Sequence, residues 1–143
     1  MVAGQSESSI EIAASADRIM DVIGDFESYP RWLPAVTAAK VLTWTGGQPE
    51  TVRMILAGGP VHDECTLRFR WPDQLTGRFT LVTAGLLRSM DGWYELEPLG
   101  EDTTTVIYSL SVELNEPDKA LQHKAEEVII EQALTGLKRR VEG

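Results

Sequence analysis

Apolar and polar residues alternate with a period of two through most of the chain from residue 36 to residue 114. Successive side chains of a β-strand point to opposite faces, so this alternation predicts strands with one apolar and one polar face. Turn-forming stretches such as Ala57-Gly58-Gly59-Pro60 and Pro72-Asp73 separate them, which is typical of an antiparallel meander covered on one side. The predicted strands are 36–44, 51–56, 65–71, 75–82, 86–97 and 103–114.

A further strand and a short helix precede this meander. Residues 8–13 alternate and predict a first strand. Ser15 has a hydroxyl suited to capping a helix N-terminus, and the apolar residues after it recur at spacings of three and four. This helix should end near Gly24, and residues 29–34 predict one short helical turn between Pro30 and Pro34. The apolar face of the first helix comprises Ala16, Ile19, Met20, Ile23 and Phe26.

The last segment predicts a long amphipathic helix over about 117–141, with Pro117 at its first position. At 1.5 Å per residue this helix would be about 36 Å long, enough to cover the apolar face of the sheet. Its predicted apolar face comprises Leu121, Ala125, Val128, Ile129, Ala133, Leu137 and Val141. The residues predicted to face away from it are Lys119, Gln122, Glu126, Glu127 and Arg139.

Charge and length exclude several classes of protein. The 143 residues fit a single domain over 1–143, and their net charge of −9 argues against binding to nucleic acid or anionic membranes. The cations Lys138, Arg139 and Arg140 suit the C-terminal end of a helix dipole better than a binding patch. Apolar runs are too short for an integral membrane segment, and residues 1–9 lack the features of a signal peptide, so we expect a cytoplasmic protein.

Few residues of the chain belong to the types that commonly act in catalysis or metal binding. Cys65 cannot form an internal disulfide and lies in an alternating apolar series, which favours a core position. One thiol and two histidines make no metal site, and no cofactor-binding motif is present, so we expect neither a metal nor a cofactor. His62 is a weak catalytic candidate because Asp63 and Glu64 would favour its charged form, although a solvated histidine explains it better. His123 should be solvated on the polar side of the last helix.

The stretch from Ser15 to Pro34 resembles the first-helix signature of the polyketide cyclase/dehydrase group of the START-like superfamily. This group includes the coenzyme Q-binding START proteins, and the birch-pollen-type allergens are more distant relatives. The specific part is Asp25-Phe26, Tyr29-Pro30 and Trp32-Leu33-Pro34, and the stretches 92–98 and 103–106 also agree. The resemblance covers essentially the whole chain.

This resemblance implies the α+β helix-grip fold. In that fold a seven-stranded curved antiparallel sheet wraps around a long C-terminal helix, and two short helices follow the first strand. It also implies an internal cavity that holds a hydrophobic small molecule. It does not imply one activity, since fold alone does not decide function.

The inward-facing residues of the predicted strands are therefore candidate cavity walls, although each of them alone could equally be filled core. On the sheet they are Met54, Leu56, Leu67, Phe69, Trp71, Phe79, Leu81, Met90, Tyr94, Leu96, Val106, Tyr108 and Leu110. On the last helix they are Val128, Ile129 and Ala133.

Tyr94 and Tyr108 are the polar groups of this series and weak catalytic candidates. A buried phenol needs a hydrogen-bond partner, which a ligand oxygen or a protein group would supply. A cyclase must polarise a carbonyl and move a proton, and no base is predicted to face inward. The arginines predicted on the outer face of the sheet are Arg53, Arg68, Arg70 and Arg78.

Three interpretations stay open. The first is binding or carriage of a lipid, quinone or polyketide-like molecule in the internal cavity. The second is a polyketide cyclase or dehydratase, which several ionisable groups converging in the pocket would support. The third is a regulator that binds a protein partner through its surface, which exposure of Trp32, Trp44 or Trp93 would support.

Overall fold

The computed structural model describes residues 5–58, 61–116 and 118–143. Within these ranges the chain forms seven β-strands, two α-helices and one 3₁₀ helix. Pro117 and the Gly59-Pro60 part of the predicted turn lie outside the described residues. In chain order the elements are β1 (Gln5–Ile12), α1 (Ala16–Gly24), the 3₁₀ helix (Phe26–Arg31), β2 (Val36–Thr45), β3 (Gln48–Gly58), β4 (Val61–Asp73), β5 (Thr76–Ala84), β6 (Leu87–Pro98), β7 (Thr104–Leu114) and α2 (Lys119–Glu142).

The strands form one antiparallel sheet in the order β1-β7-β6-β5-β4-β3-β2. Strands β2 to β7 are a meander, because each pairs with the next along the chain. Strand β1 joins the far edge, where Gln5 lies opposite Ser111 and Ile12 opposite Thr104. The prediction of a curved antiparallel sheet around a long C-terminal helix, with two short helices after the first strand, is confirmed.

Local sequence signals explain where the helices begin. The Ser15 hydroxyl accepts a hydrogen bond from the Arg18 N–H at 3.3 Å, which confirms its predicted role as the cap of α1. The Asp118 side chain accepts from the Leu121 N–H at 3.1 Å and caps α2 in the same way. The 3₁₀ helix begins at Phe26, earlier than the predicted short turn.

Helix α2 packs on β1 and β7, with further contacts to β3 and α1. Several predictions about its faces were wrong, and one of them is Val128, which is half-buried on the outer side of the helix. Glu126, predicted to face away from the sheet, has no exposed surface, whereas Leu121, predicted on the apolar face, is 43% exposed. Glu126 is buried because its carboxylate accepts hydrogen bonds from the sheet, so the buried face of α2 is rotated relative to the predicted one.

The C-terminal half of α2 approaches the chain after the 3₁₀ helix very closely. A Cβ atom at Gly136 would lie 2.3 Å from the carbonyl oxygen of Trp32, so only glycine allows this contact.

Cys65 is buried in the sheet, as predicted, and burial together with the nearby charges of Asp63 and Glu64 raises its pKa to about 12. Neither described α-helix has the length and apolar character needed to cross a membrane.

Candidate functional site

A small internal cavity lies between the apolar face of the sheet, α2 and the 3₁₀ helix with the residues that follow it. Its volume is about 30 Å³, close to the share of one water molecule in the liquid. The side chains around it are apolar except for three phenols. The lining residues are Tyr29, Leu33, Ala35, Val36, Met54, Leu56, Leu67, Phe69, Phe79, Met90, Tyr94, Tyr108 and Ile129.

Tyr94 and Tyr108 form a stacked pair beside this cavity. They lie opposite each other in the β6–β7 register, and their ring centroids are 4.4 Å apart with planes inclined by 16°. Burial raises the pKa of Tyr94, and a hydrogen bond with Tyr108 acts in the opposite direction. Burial also raises the pKa of Tyr108, and the charge of Tyr94 and the shared hydrogen bond add to this effect. Both groups therefore stay protonated at neutral pH and act as hydrogen-bond donors.

Tyr29 brings a third phenol to the cavity from the 3₁₀ helix. Its hydroxyl donates a hydrogen bond to the backbone carbonyl of Ile23, which ties the 3₁₀ helix to the end of α1. Burial raises the pKa of Tyr29, with additional contributions from Tyr94, Tyr108 and Asp25. Because the Tyr29 hydroxyl is already engaged, the Tyr94–Tyr108 pair is the better placed group for binding a ligand oxygen.

A chain of aromatic contacts forms one wall. Phe69 contacts Phe26 and Phe79 with ring centroids 4.4 and 5.3 Å apart, and Phe79 lies edge-on to Tyr108 at 6.2 Å. Gly92 makes room for the Phe79 ring, since a Cβ atom there would lie 2.5 Å from Phe79 Cζ. The wall is thus held in place by ring packing and by a glycine on the adjacent strand.

The structure brings many of the predicted wall residues around this cavity. Those are Met54, Leu56, Leu67, Phe69, Phe79, Met90, Tyr94, Tyr108 and Ile129. The alternation along each strand predicted the correct face because side-chain direction has a strict period of two.

Other predicted wall residues lie elsewhere. Alternation does not tell which part of a strand lies next to the cavity. Trp71 and Leu81 are half-buried, and the Trp71 indole N–H donates to the Pro49 carbonyl at 2.9 Å. Val128 is half-buried on the outer side of α2. The remaining ones are closely packed core: Leu96, Val106, Leu110 and Ala133.

Residues after α1 complete the cavity and were not predicted to line it. They are Tyr29, Leu33, Ala35 and Val36. The sequence marked part of this stretch as the most specific part of the family resemblance. The stretch consists of a short 3₁₀ helix and a connection to β2, which are too short for a periodicity from which side-chain direction could be inferred, so its role in the cavity depends on the tertiary structure.

The two histidines do not reach the cavity. His62 is exposed on β4, opposite Ala57, and His123 is exposed on α2, with its Nε2 atom 3.1 Å from Glu127 Oε1. Among the described lining residues the phenols are the only ionisable groups. The arginines predicted on the outer face of the sheet are all exposed, as predicted: Arg53, Arg68, Arg70 and Arg78.

The described residues contain no group of three or more His, Cys, Asp or Glu side chains placed to hold a metal ion. Of the tryptophans considered as surface contacts, Trp32 is 8% exposed, Trp93 is half-buried and Trp44 is 61% exposed. Only Trp44 therefore presents most of its side chain to a partner.

Known proteins share this architecture. The family model for polyketide cyclase/dehydrase and lipid transport matches residues 3–142. The persistence and stress-resistance toxin PasT of Escherichia coli O6:H1 (strain CFT073) is 25% identical over 99 residues, which are 69% of this chain and 61% of that protein. A START superfamily protein from Mycobacterium smegmatis is 25% identical with a TM-score of 0.86, over 96% of this chain and 97% of that one. The Zhui aromatase/cyclase from Streptomyces sp. R1128 is 17% identical with a TM-score of 0.80, over 96% and 93% of the two chains, and shows the shared fold alone.

Proposed function

Because the chain belongs to the polyketide cyclase/dehydrase and lipid transport family, we propose that it binds a hydrophobic small molecule in the cavity between the sheet and α2. The observation that carries this proposal is the Tyr94–Tyr108 pair beside an otherwise apolar cavity. Each of the two phenols carries an O–H group that can donate to an acceptor. The ligand is thus an apolar molecule with an oxygen acceptor, as in lipids, quinones and polyketide-like compounds.

The size of the cavity adds a requirement. A volume of about 30 Å³ holds one water molecule, whereas ligand pockets usually measure several hundred Å³. Ligand entry must therefore move the wall. Met54 and Met90 are suited to this, because an unbranched side chain with three rotatable bonds repacks more easily than the neighbouring rings. The structure then corresponds to a closed state that the ligand expands.

Binding or carriage is favoured over a cyclase or dehydratase. Moving a proton requires a base, and the described lining residues contribute only phenols. Burial raises the pKa of Tyr94 and Tyr108, so at neutral pH they donate hydrogen bonds and do not accept a proton. The pair can hold a carbonyl oxygen, but among the described lining residues it has no base to which a proton could be transferred.

A matched pair of ligands tests the proposal. We would titrate 2,3-dimethyl-1,4-naphthoquinone and 2,3-dimethylnaphthalene, which have the same fused-ring body with and without carbonyl oxygens. The ¹³C methyl signals of Met54 and Met90 would report binding in the cavity. We expect both ligands to shift these signals and the quinone to bind about tenfold more tightly, as one hydrogen bond to a ligand oxygen predicts.

Variants test whether the preference for the quinone comes from the hydroxyl groups of Tyr94 and Tyr108. The Tyr94→Phe/Tyr108→Phe double variant should bind both ligands equally, whereas Tyr29→Phe, whose hydroxyl is engaged by Ile23, should keep the preference for the quinone. Mass spectrometry of molecules extracted from the purified protein would then identify the natural ligand. An extract without any lipophile, together with unchanged methionine signals for both ligands, would refute the proposal.

A further inference from the structure

A groove of about 570 Å³ lies on the outer side of α2, and it shares no lining residue with the internal cavity. One wall is the outer face of the C-terminal half of α2. The other is the chain from Pro30 to Pro34, which Gly136 allows to pack directly against the helix. The volume lies in the range of sites for small organic molecules.

The groove concentrates positive charge on an acidic protein. Arg31, Arg139 and Arg140 line it together with a single carboxylate, Glu131, although the chain as a whole has a net charge of −9. Among the described residues none of these three guanidinium groups forms an ion pair. The helix dipole explains cations at the end of α2, but it does not explain Arg31, which comes from the opposite wall. The fold thus brings together three donors that suit an anion.

Two polar groups of the groove lining also have no partner. The indole N–H of Trp32 and the side-chain oxygen of Gln132 are buried without a hydrogen bond among the described residues. Trp32 is only 8% exposed, so its side chain is largely shielded from bulk solvent. An unsatisfied buried donor is unfavourable, and a ligand acceptor that reached it would remove that cost.

We propose that this groove binds an organic carboxylate with an apolar body, independently of any ligand in the internal cavity. The carboxylate pairs with Arg31 and Arg139, because the planar guanidinium fork matches its two oxygens. The apolar body lies against Pro30, Pro34 and Val128. A monoanion fits better than a phosphate dianion, since Glu131 in the same lining repels additional negative charge.

Nuclear magnetic resonance of the ¹⁵N-labelled protein tests this proposal with naphthalene-2-carboxylate and its uncharged counterpart naphthalene-2-carboxamide. We expect the carboxylate to shift the indole N–H signal of Trp32, assigned with Trp32→Phe, and the carboxamide to bind at least about tenfold more weakly. Arg31→Gln and Arg139→Gln should each weaken carboxylate binding about tenfold. Arg88→Gln removes the same charge from an exposed position on β6 and should leave it nearly unchanged.

Three results would overturn the proposal. The first is equal binding of the carboxylate and the carboxamide. The second is equal weakening by Arg31→Gln and by Arg88→Gln, which would indicate a general charge effect. The third is a carboxylate that shifts the methyl signals of Met54 and Met90 but not the Trp32 indole, which would place it in the internal cavity. All three arginines are exposed, so their replacement should leave the fold intact.

Discussion

The carboxylate of Glu126 on α2 accepts a hydrogen bond from the backbone N–H of Val112 on β7 at 2.7 Å, although the Glu126 side chain has almost no exposed surface. Its second oxygen accepts from the Ser6 hydroxyl of β1 at 2.6 Å. A carboxylate is tolerated inside a protein when donors replace its hydration. Glu126 thus joins the last helix to the two strands on which it packs.

Replacing Glu126 should therefore destabilise the protein strongly. We expect Glu126→Ala to lower the free energy of unfolding by about 2–4 kcal/mol, because the Val112 N–H is left buried without a partner and a cavity forms. Urea unfolding would measure this change. The adjacent Glu127→Ala is the control, since the Glu127 side chain is 56% exposed and its contact with His123 should contribute less than about 1 kcal/mol. Equal effects of the two variants would contradict the role given to Glu126.

The buried tyrosines predict a loss of stability at alkaline pH. The folded state raises the pKa of Tyr94 and Tyr108 above the value of about 10 in the unfolded chain. Above that pH the tyrosines of the unfolded state release protons that the folded state retains. The free energy of unfolding therefore keeps its full value below about pH 10 and decreases as the pH rises further. Each such group contributes a slope of up to about 1.4 kcal/mol per pH unit.

Urea unfolding at a series of alkaline pH values would show this loss. Tyr94→Phe should reduce the slope, because phenylalanine has no proton to lose. Tyrosine absorbance in the ultraviolet should also show that the buried phenols ionise only as the protein unfolds. A slope unchanged in both Tyr94→Phe and Tyr108→Phe would show that other groups cause the alkaline unfolding.

Gly136→Ala should destabilise the protein although alanine is the better helix former. Alanine has a helix propensity more favourable than that of glycine by about 1 kcal/mol. This gain is opposed by a steric clash, because the added Cβ atom would lie 2.3 Å from the carbonyl oxygen of Trp32, a backbone atom that cannot easily move away. We expect a net loss of about 1–3 kcal/mol by thermal or urea unfolding. Thr135→Ala, at an exposed position of the same helix, should change stability by less than about 0.5 kcal/mol. A stabilised Gly136→Ala protein would refute the close packing of α2 on Trp32.

Asp63 holds the connection between β5 and β6 against the start of β4. Its carboxylate accepts hydrogen bonds from the backbone N–H groups of Gly85, Leu86 and Leu87 at 2.7–3.1 Å, and from that of Glu64 at 2.9 Å. Burial by itself would raise the pKa of Asp63, but these four donors outweigh it and lower the pKa. The carboxylate thus stabilises the fold at neutral pH, and this contribution is lost as the pH falls below about 3.9 towards the folded-state pKa.

Asp63→Asn should accordingly lower the free energy of unfolding more at neutral pH than under acidic conditions. At pH 7 we expect a loss of about 1–2 kcal/mol, because a neutral amide oxygen is a weaker acceptor for several N–H groups. As the pH falls below about 3.9 towards the lowered folded-state pKa of Asp63, the variant and the parent should approach each other in stability. Asp102→Asn, at an exposed position, provides the comparison and should change stability by less than about 0.5 kcal/mol at pH 7. A constant difference for Asp63→Asn at every pH would contradict this account.

The sequence determined by itself the order of the elements and the inward face of the strands. Cys65, Leu67 and Phe69 are buried as their alternation predicted, because the two-residue period of a strand leaves side chains little choice of direction. The cap at Ser15 followed from one side chain and its sequence neighbours, so it too was predictable. The family resemblance at residues 15–34 gave the helix-grip fold, which the structure has.

Contacts between distant segments were decided only by the tertiary structure. A helix with apolar residues over a broad arc can pack in several rotations, and hydrogen bonds from Ser6 and Val112 selected the one that buries Glu126. The short 3₁₀ helix after α1 places Tyr29 in the cavity and Arg31 in the groove that Arg139 also lines, positions that no periodic pattern encodes. The cavity volume also depends on how side chains from many elements fill a common space, which is a property of packing and not of any one segment.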